Sequence, residues 1–495
     1  GAEFDVGALV GQYFLETKSR TSYIDAQNYP SPAFDVASVA ANIVDASAGL
    51  SEYAIESYFA RLSLAYKDRY VVNATIRTDG SSRFAPDCRW GWFPSVSVGW
   101  NVSNESFWNA EKTDLKIRAS YGRTGNQDGI SNYGWQALIS GGVNYGGQSG
   151  IAISSSGNDR LTWETADQYN AGFDLSFLGG KINMIADVYL KNTNNLLYSK
   201  PVHATTGETS ILSNIGSMRN KGVEFTINTH LNLGKVLWSS SFNIARNVNK
   251  LTSLLEDDLL SIGANRALKL GRTVGSWYIF RTDGIYQYDG EVPQALYDKG
   301  VRAGDVKYWD RNGDGNITDD DRIVTGNPNP KFSGGWNNTF KYKGLELSLF
   351  FTYSYGNDVY ASWMIPGSKP GHTRSLLKAY ADNRWTGPGT SDKYPRAIYS
   401  YSGWNGKNST MYLTDGSFIR LRSVTLGYTF PQRLVSKIHL KGLRVYAQGD
   451  NVFLCSRYPG WDPETSVNLD PRFYGEDNDG VPQPRIFKLG VNITF

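Results

Sequence analysis

Two segments of this chain alternate apolar and polar residues with a period of two, and that pattern limits what the chain can fold into. In GLELSLFFTYSYG (344–356), Leu345, Leu347, Leu349, Phe351, Tyr353 and Tyr355 share one face. Glu346, Ser348, Thr352 and Ser354 share the other, with Phe350 the exception. In PRIFKLGVNITF (484–495), Phe487, Leu489, Val491, Ile493 and Phe495 alternate with Lys488, Gly490, Asn492 and Thr494. A helix would scatter these residues around its axis, whereas an extended strand sorts them onto two sides. Similar segments begin near residues 4, 57, 69, 92, 114, 168, 181, 220, 235, 332, 417 and 441, giving about fourteen candidate strands.

The links between strands sort by length. Short links fall at 66–70, 178–181, 231–235 and 341–344, with slightly longer ones at 103–114 and the helical-looking 431–442. Long connections fall between them at 18–56, 124–165, 197–217, 249–331, 358–416 and 454–483, with a shorter member of the same series at 79–91. A strict alternation of short and long is the habit of transmembrane barrels, which keep tight turns on the periplasmic rim and long loops outside. A soluble sandwich has no reason to sort loops by parity, and no propeller-like repeat of about 40–50 residues is present. If the last strand runs down to a periplasmic C-terminus, every long loop faces outward. The expectation is an all-β fold, a transmembrane antiparallel β-barrel with long extracellular loops and short periplasmic turns.

Composition agrees with this where it bears on the choice. Tyr 31, Phe 22 and Trp 14 supply strand and interface residues, and Gly 52 supplies turns. A net charge of +3 without a basic run gives no electrostatic footprint for nucleic acid. No stretch reaches the ~20 apolar residues of a membrane helix. A mean hydropathy of −0.40 suits a soluble protein or a barrel in which only alternate strand residues meet lipid. Cys88 and Cys455 are too few for a disulfide framework, and whether they pair stays open.

Several long segments carry a recognisable set of motifs: SYFARLSLAYKDRYVVNATIRTDGSSRF (57–84), GWFPSVSVGW (91–100), LKIRASYGRTGNQ (115–127) and LTWETADQYNAGFDL (161–175). NIGSMRNKGVEFTIN (214–228), GDVKYWDRNGDGNITDDDRIVTGNPNPKFSGGWNNTF (304–340), FIRLRSVTLGYTFP (418–431) and LRVYAQGDNVF (443–453) complete the set. These segments, in this order, resemble the SusC/RagA type of TonB-dependent outer-membrane transporter of Bacteroidetes. The resemblance implies a 22-stranded barrel filled by a plug and preceded by a TonB box, of which residues 1–495 are the C-terminal part. About fourteen of those strands are in this sequence; the others, with the plug and TonB box, are expected from outside it, because unpaired backbone in lipid is costly. The opening GAEFDVGALVG carries no signal-peptide pattern, and residue 1 is not expected to be the natural start. Strand 487–495 is expected to close the barrel against the missing first strand, and Phe495 resembles the C-terminal barrel-assembly signal. The resemblance further implies a Gram-negative outer-membrane importer of oligosaccharides, sometimes oligopeptides. Its implied partners are a SusD-like lipoprotein lid, TonB–ExbB–ExbD, and a second SusC–SusD pair in a dimer. The alternative is a surface-binding or structural barrel that transports nothing.

Within the long loop 249–331, residues 310–321 read as an EF-hand-like loop. Asp310, Asn312, Asp314, the Asn316 carbonyl, Thr318 and Asp321 are candidate oxygen ligands, with Gly315 at the turn. Asp at the last position is shorter than the usual Glu. A structural Ca²⁺ is one reading and a turn that binds nothing is the other; no redox or organic cofactor is expected. Trp135, Tyr145, Trp163, Trp363, Trp385 and Trp404 are candidate substrate contacts, since flat rings stack on sugars or grip peptides. Each could equally pack its loop or join an interfacial girdle. Glu256, Asp257 and Asp258 read as a solvated turn. His203, His230, His372 and His439 have no metal-ligand spacing. No nucleophile elbow or Walker loop occurs, so an enzyme is not expected. A barrel lipase would need a Ser/His pair on the lipid face, for which His230 is the weak candidate.

Overall fold

The computed structural model describes residues 3–108, 113–203, 205, 207–254, 258–367, 375–398 and 403–495. Fourteen long strands carry the fold. They are β1 (Phe4–Gln27), β2 (Asn42–Tyr66), β3 (Tyr70–Ser81), β4 (Ser95–Asn101), β5 (Thr113–Asn126), β6 (Glu164–Phe177) and β7 (Ile182–Asn194). Then follow β8 (Gly216–Leu233), β9 (Val236–Leu254), β10 (Phe332–Tyr342), β11 (Leu345–Tyr355), β12 (Phe418–Thr429), β13 (Gly442–Ser456) and β14 (Ile486–Thr494). Strand order follows chain order, with β1 and β14 at the two ends. Among the described residues no helix is long and apolar enough to cross a membrane. Two compact units are distinguished: Gly1–Asn104 with Arg118–Asn170 and Lys191–Met218, and Glu105–Ile117 with Ala171–Leu190 and Arg219–Phe495.

In the first unit the register of β1 to β4 separates the two faces row by row. Phe4, Tyr66, Tyr70 and Trp100 are successive cross-strand partners. Their ring centroids lie 4.6, 6.4 and 6.4 Å apart. On the same face follow Val6, Leu64, Val72 and Val98, then Ala8, Leu62, Ala74 and Val96. The opposite face carries Gly7, Ser63, Asn73 and Ser97 in one row. Higher on the apolar face Tyr58 stacks on Trp90 at 6.2 Å, and the Trp90 ring lies over Gly80, where a Cβ would meet it at 2.8 Å. From Tyr66 to Tyr58 is about 26 Å along the strand at ~3.3 Å per residue. At the usual 35–45° tilt that is about 20 Å of height, near the ~25 Å apolar band of outer-membrane barrels.

The second unit repeats the sorting across six strands. Trp238, Phe340, Leu347, Leu426, Ala447 and Leu489 pair in sequence as one row. One residue along, Ser239, Thr339, Ser348, Thr425, Gln448 and Lys488 form the row on the other face. On that polar face the Arg444 guanidinium lies against Gly427 and reaches Glu346 at 2.8 Å, while Lys341 reaches Glu346 at 3.0 Å. A bulge at Arg422 interrupts the ladder between Leu421 and Ser423. It switches β12 from odd to even residues on the apolar face: Ile419 and Leu421 before it, Val424, Leu426 and Tyr428 after it. The bulge therefore keeps apolar side chains on one side and leaves Arg420 on the polar side, opposite Thr352.

Turn chemistry explains the short links. Lys343 and Gly344 both take positive φ, 47° and 86°, as a two-residue type I′ hairpin requires. The link 431–442 is a helical turn, Gln432–Val435, continued by Ser436–Ile438. One boundary differs from expectation. The connection expected over 18–56 is only 28–41, because β1 and β2 pair from Phe4↔Tyr66 to Gln27↔Asn42. Residues 18–24 and 42–50 of that extension are exposed throughout, and their sequence does not alternate.

Candidate functional site

The long connections of the second unit fold into cored structure of their own. One core joins Phe280, Ile285, Tyr286, Leu296, Val306 and Tyr308, all at most 5% exposed. A second joins Trp277, Ile279, Val359, Tyr360, Tyr412 and Tyr458. Strand 277–280 pairs with 322–325, and strand 358–361 is flanked by 413–415 and Glu476–Asp477. Residues from all three long connections thus share one framework. Arg266, fully buried, stacks 4.1 Å over the Trp277 ring and donates to the carbonyls of Gly275, Phe473 and Tyr474. Burial lowers its pKa to about 10, offset in part by Glu476. Burial likewise raises Tyr380 to about 12, and burial with Asp477 beside it pushes the Tyr458 phenol upward.

A charged contact ties this framework to the wall. Arg420 of β12 meets Asp462 of the 457–485 connection, both almost solvent-free, and its Nε lies 2.7 Å from Glu464. Arg422 donates to the other Glu464 oxygen at 2.8 Å. The Gln483 N–H donates to Asp462 at 3.1 Å, closing the connection on itself. Tyr458 donates to Asp477 at 2.6 Å and accepts from Trp363 Nε1 at 3.0 Å.

The aromatic residues expected to meet substrate are placed unevenly. Trp163 is 8% exposed, packed on Phe84 and Phe93, with its Nε1 donating to the Arg89 carbonyl. Its faces are taken up by packing. Trp363 packs on the second loop core; Trp385 and Trp404 pack on the first. Trp385 Nε1 donates to Gln287 and Trp404 Nε1 to the Val306 carbonyl. These three are half-buried parts of the framework. Tyr145 is 90% exposed. Trp135, whose Nε1 donates to the Ser82 carbonyl at 3.2 Å, lines a cleft of about 320 Å³ in the first unit together with Glu16, Glu52, Tyr53, Arg89 and Tyr133. The cleft edge is held by Tyr133, which accepts from the Glu52 N–H, and by Asn132, which bonds Ser51 and Arg83. Trp461, 82% exposed, is a residue the sequence reading passed over. The Gly460–Trp461–Asp462 run resembles any loop until Asp462 is seen to be anchored.

The oxygen-rich loop closes through its own hydrogen bonds. Asp310 accepts from the N–H groups of Gly313 and Gly315, Asp314 from Asn316, and Asp321 from Arg311 and Thr318, all within 2.9 Å. Asn312 accepts from the Asp314 N–H, and Lys299 donates to the Asn316 side chain. Thr318 and Asp321 form a capping box, which accounts for the complete burial of Asp321. Among the described residues no three acidic, His or Cys side chains gather as a metal cage. The donor set is all hard oxygen, and a carboxylate oxygen that accepts one N–H keeps a second lone pair.

Cys88 and Cys455 are both free thiols. His230 Nδ1 lies 3.1 Å from Ser239 Oγ, but Ser239 belongs to the polar row, so this pair is not on the apolar face a barrel lipase would use. Glu256, Asp257 and His372 lie outside the described residues, while Asp258 is exposed and its carbonyl accepts from Leu270. Phe495, the expected assembly signal, is 78% exposed.

Comparison with known proteins agrees with this geometry. The family described as TonB dependent receptor-like, beta-barrel matches residues 1–452. The TonB-dependent receptor P39 of Formosa agariphila is 31% identical over 490 residues, covering 90% of this chain and 46% of that protein. The TonB-dependent receptor SusC of Bacteroides thetaiotaomicron is 31% identical over 464 residues, covering 89% of this chain and 43% of that protein. The chain therefore spans about half the length of the curated relatives it matches. Among solved structures, the RagAB peptide transporter superposes with a TM-score of 0.86 at 23% identity, over 100% of this chain and 54% of that one. The chain belongs to the TonB dependent receptor-like β-barrel family, is of the SusC/RagA type, and is an outer-membrane protein.

Proposed function

We propose that this barrel wall and its outer loops serve the import of an oligosaccharide, with an oligopeptide as the other cargo class. Capture would involve a SusD-like surface lipoprotein, and TonB–ExbB–ExbD would supply energy through a plug encoded outside this sequence. A paired SusC–SusD assembly, outer-membrane lipid and the missing strands complete the proposed surroundings. The observation that carries the reading is the Arg420–Asp462 contact: an outer connection with its own core is fastened to the polar face of the wall, the face that lines the lumen in such barrels. Long loops held rigid above a lumen are what selective capture needs; a purely structural wall gains nothing from them. Ca²⁺ at Asp310–Asp321 is proposed on donor chemistry, as a brace for the loop. Catalysis is not proposed.

The deciding experiment deletes the gene that encodes this chain and grows the strain on purified glycans and on peptides, while the tagged barrel is purified in mild detergent. Loss of growth on one cargo class together with a copurifying lipoprotein supports import. Unimpaired growth on every cargo and a barrel that comes out alone favour the surface-binding alternative.

A further inference from the structure

We infer that Trp461 is a ligand-binding residue, an indole platform on which one hexose unit of an incoming oligosaccharide rests. The inference builds on the import reading above and adds a specific contact to it. Trp461 is 82% exposed, yet the backbone on both sides of it is fixed. Three residues earlier, Tyr458 is 7% exposed and bonded to Asp477 and Trp363. Immediately after it, Asp462 is 1% exposed, gripped by Arg420, and its carbonyl accepts from Thr465 Oγ1 at 2.6 Å. The indole is therefore held out into water from a clamped segment. A ligand that meets it loses little conformational entropy in ordering it, which is the usual advantage of a preorganised contact.

Its placement favours a ligand in the lumen over lipid. Asp462 reaches Arg420, and Arg420 stands on the polar face opposite Thr352. The chemistry beside it favours a sugar. Glu464, three residues further along the same connection, pairs with Arg422 at 2.8 Å; the Arg422 and Glu464 side chains are 31% and 23% exposed, so the connection that carries a flat ring suited to a C–H face also carries charged donors and acceptors for hydroxyl groups. Trp135, Trp163, Trp363, Trp385 and Trp404 by contrast each commit an indole N–H to the protein.

The test uses the full-length gene in its host, with Trp461→Ala, Trp461→Tyr and Leu469→Ala, the last an 81% exposed residue of the same connection. Growth is followed against the concentration of malto-, cello- and manno-hexaose and of a casein peptide digest, with surface protein matched by whole-cell immunoblot. Trp461→Ala should raise the half-saturating concentration of the hexaose that requires the gene by about tenfold or more, as truncating an aromatic anchor does. Trp461→Tyr should restore most of it, and Leu469→Ala should change nothing. An unchanged half-saturation in Trp461→Ala, on a hexaose the deletion strain cannot use, overturns the platform and leaves the import reading standing. A defect confined to peptides, or loss of the copurifying lipoprotein, overturns it in favour of a peptide or lid contact. A deletion strain that grows normally on every hexaose overturns the oligosaccharide reading itself.

Discussion

Arg420 and Asp462 form an ion pair in which the two side chains are 3% and 2% exposed, joining strand β12 to the connection that follows β13. Removing one partner from such a pair strands the other charge, at a cost of about 3–5 kcal/mol. Asp462→Ala should release the 457–485 connection, read as rapid protease cleavage there in intact cells while the wall stays folded. Arg420→Met with Asp462→Leu should recover much of the resistance, because the buried pair is removed together and Glu464 keeps its contact with Arg422. Equal cleavage of the single and double variants would show that the pair does not hold the connection.

Leu426 and Thr425 test which face meets lipid. Leu426 lies in the apolar row and Thr425 in the polar row, one residue apart on β12. Leu426→Arg should impair folding into membranes by about 2–4 kcal/mol, the known penalty near a bilayer midplane. Thr425→Arg should be tolerated. Refolding into lipid vesicles, followed by the heat-dependent shift of the folded band, measures both; the reverse order would invert the face assignment.

Asp358 gives a pH dependence. It stands directly opposite Asp415 in the loop sheet, and burial, then the like charge of Asp415, raises its pKa; the N–H of Asn327, which it accepts, acts in the other direction. A carboxyl raised on folding stabilises most below its unfolded pKa, and that contribution is lost as pH climbs through the folded pKa. The loop sheet should therefore be firmer near pH 4 than near pH 7 as far as Asp358 is concerned. Asp358→Asn should slow proteolysis of the outer loops at pH 7, with the gain shrinking towards pH 4. A variant weaker than wild type at pH 7 would mean that the ionised carboxylate is what the Asn327 contact requires.

For the oxygen-rich loop, calcium in the millimolar range should protect 305–325 from protease, EGTA should remove that protection, and Asp314→Ala should abolish the response. Identical cleavage with calcium and with EGTA would leave the self-bonded turn as the whole structure of the segment.

The wall was legible in the sequence because lipid and lumen impose opposite demands on adjacent residues. Leu489 and Lys488 declare their faces without any coordinates. Even the bulge leaves a trace, since apolar residues pass from odd positions at Ile419 and Leu421 to even ones at Val424 and Leu426. The far end of the β1–β2 hairpin was not legible: residues 18–24 and 42–50 are exposed throughout and their sequence keeps no period of two. The loop aromatics were harder still. Trp163 and Trp461 are the same residue type in similar settings, one 8% and the other 82% exposed. What separates them is Phe84, Phe93 and the Asp462 anchor, which come together only in three dimensions.

The aromatic row of Phe4, Tyr66, Tyr70 and Trp100, with the Tyr58–Trp90 stack above it, acts as a gauge for its host envelope. A bilayer several Å thicker than the interval between these rings would draw one set into hydrocarbon, and a thinner one would strand the valines between them in headgroups. The chain is thus fitted to one class of membrane before any cargo arrives, and moving the gene to another host changes the solvent as well as the cell.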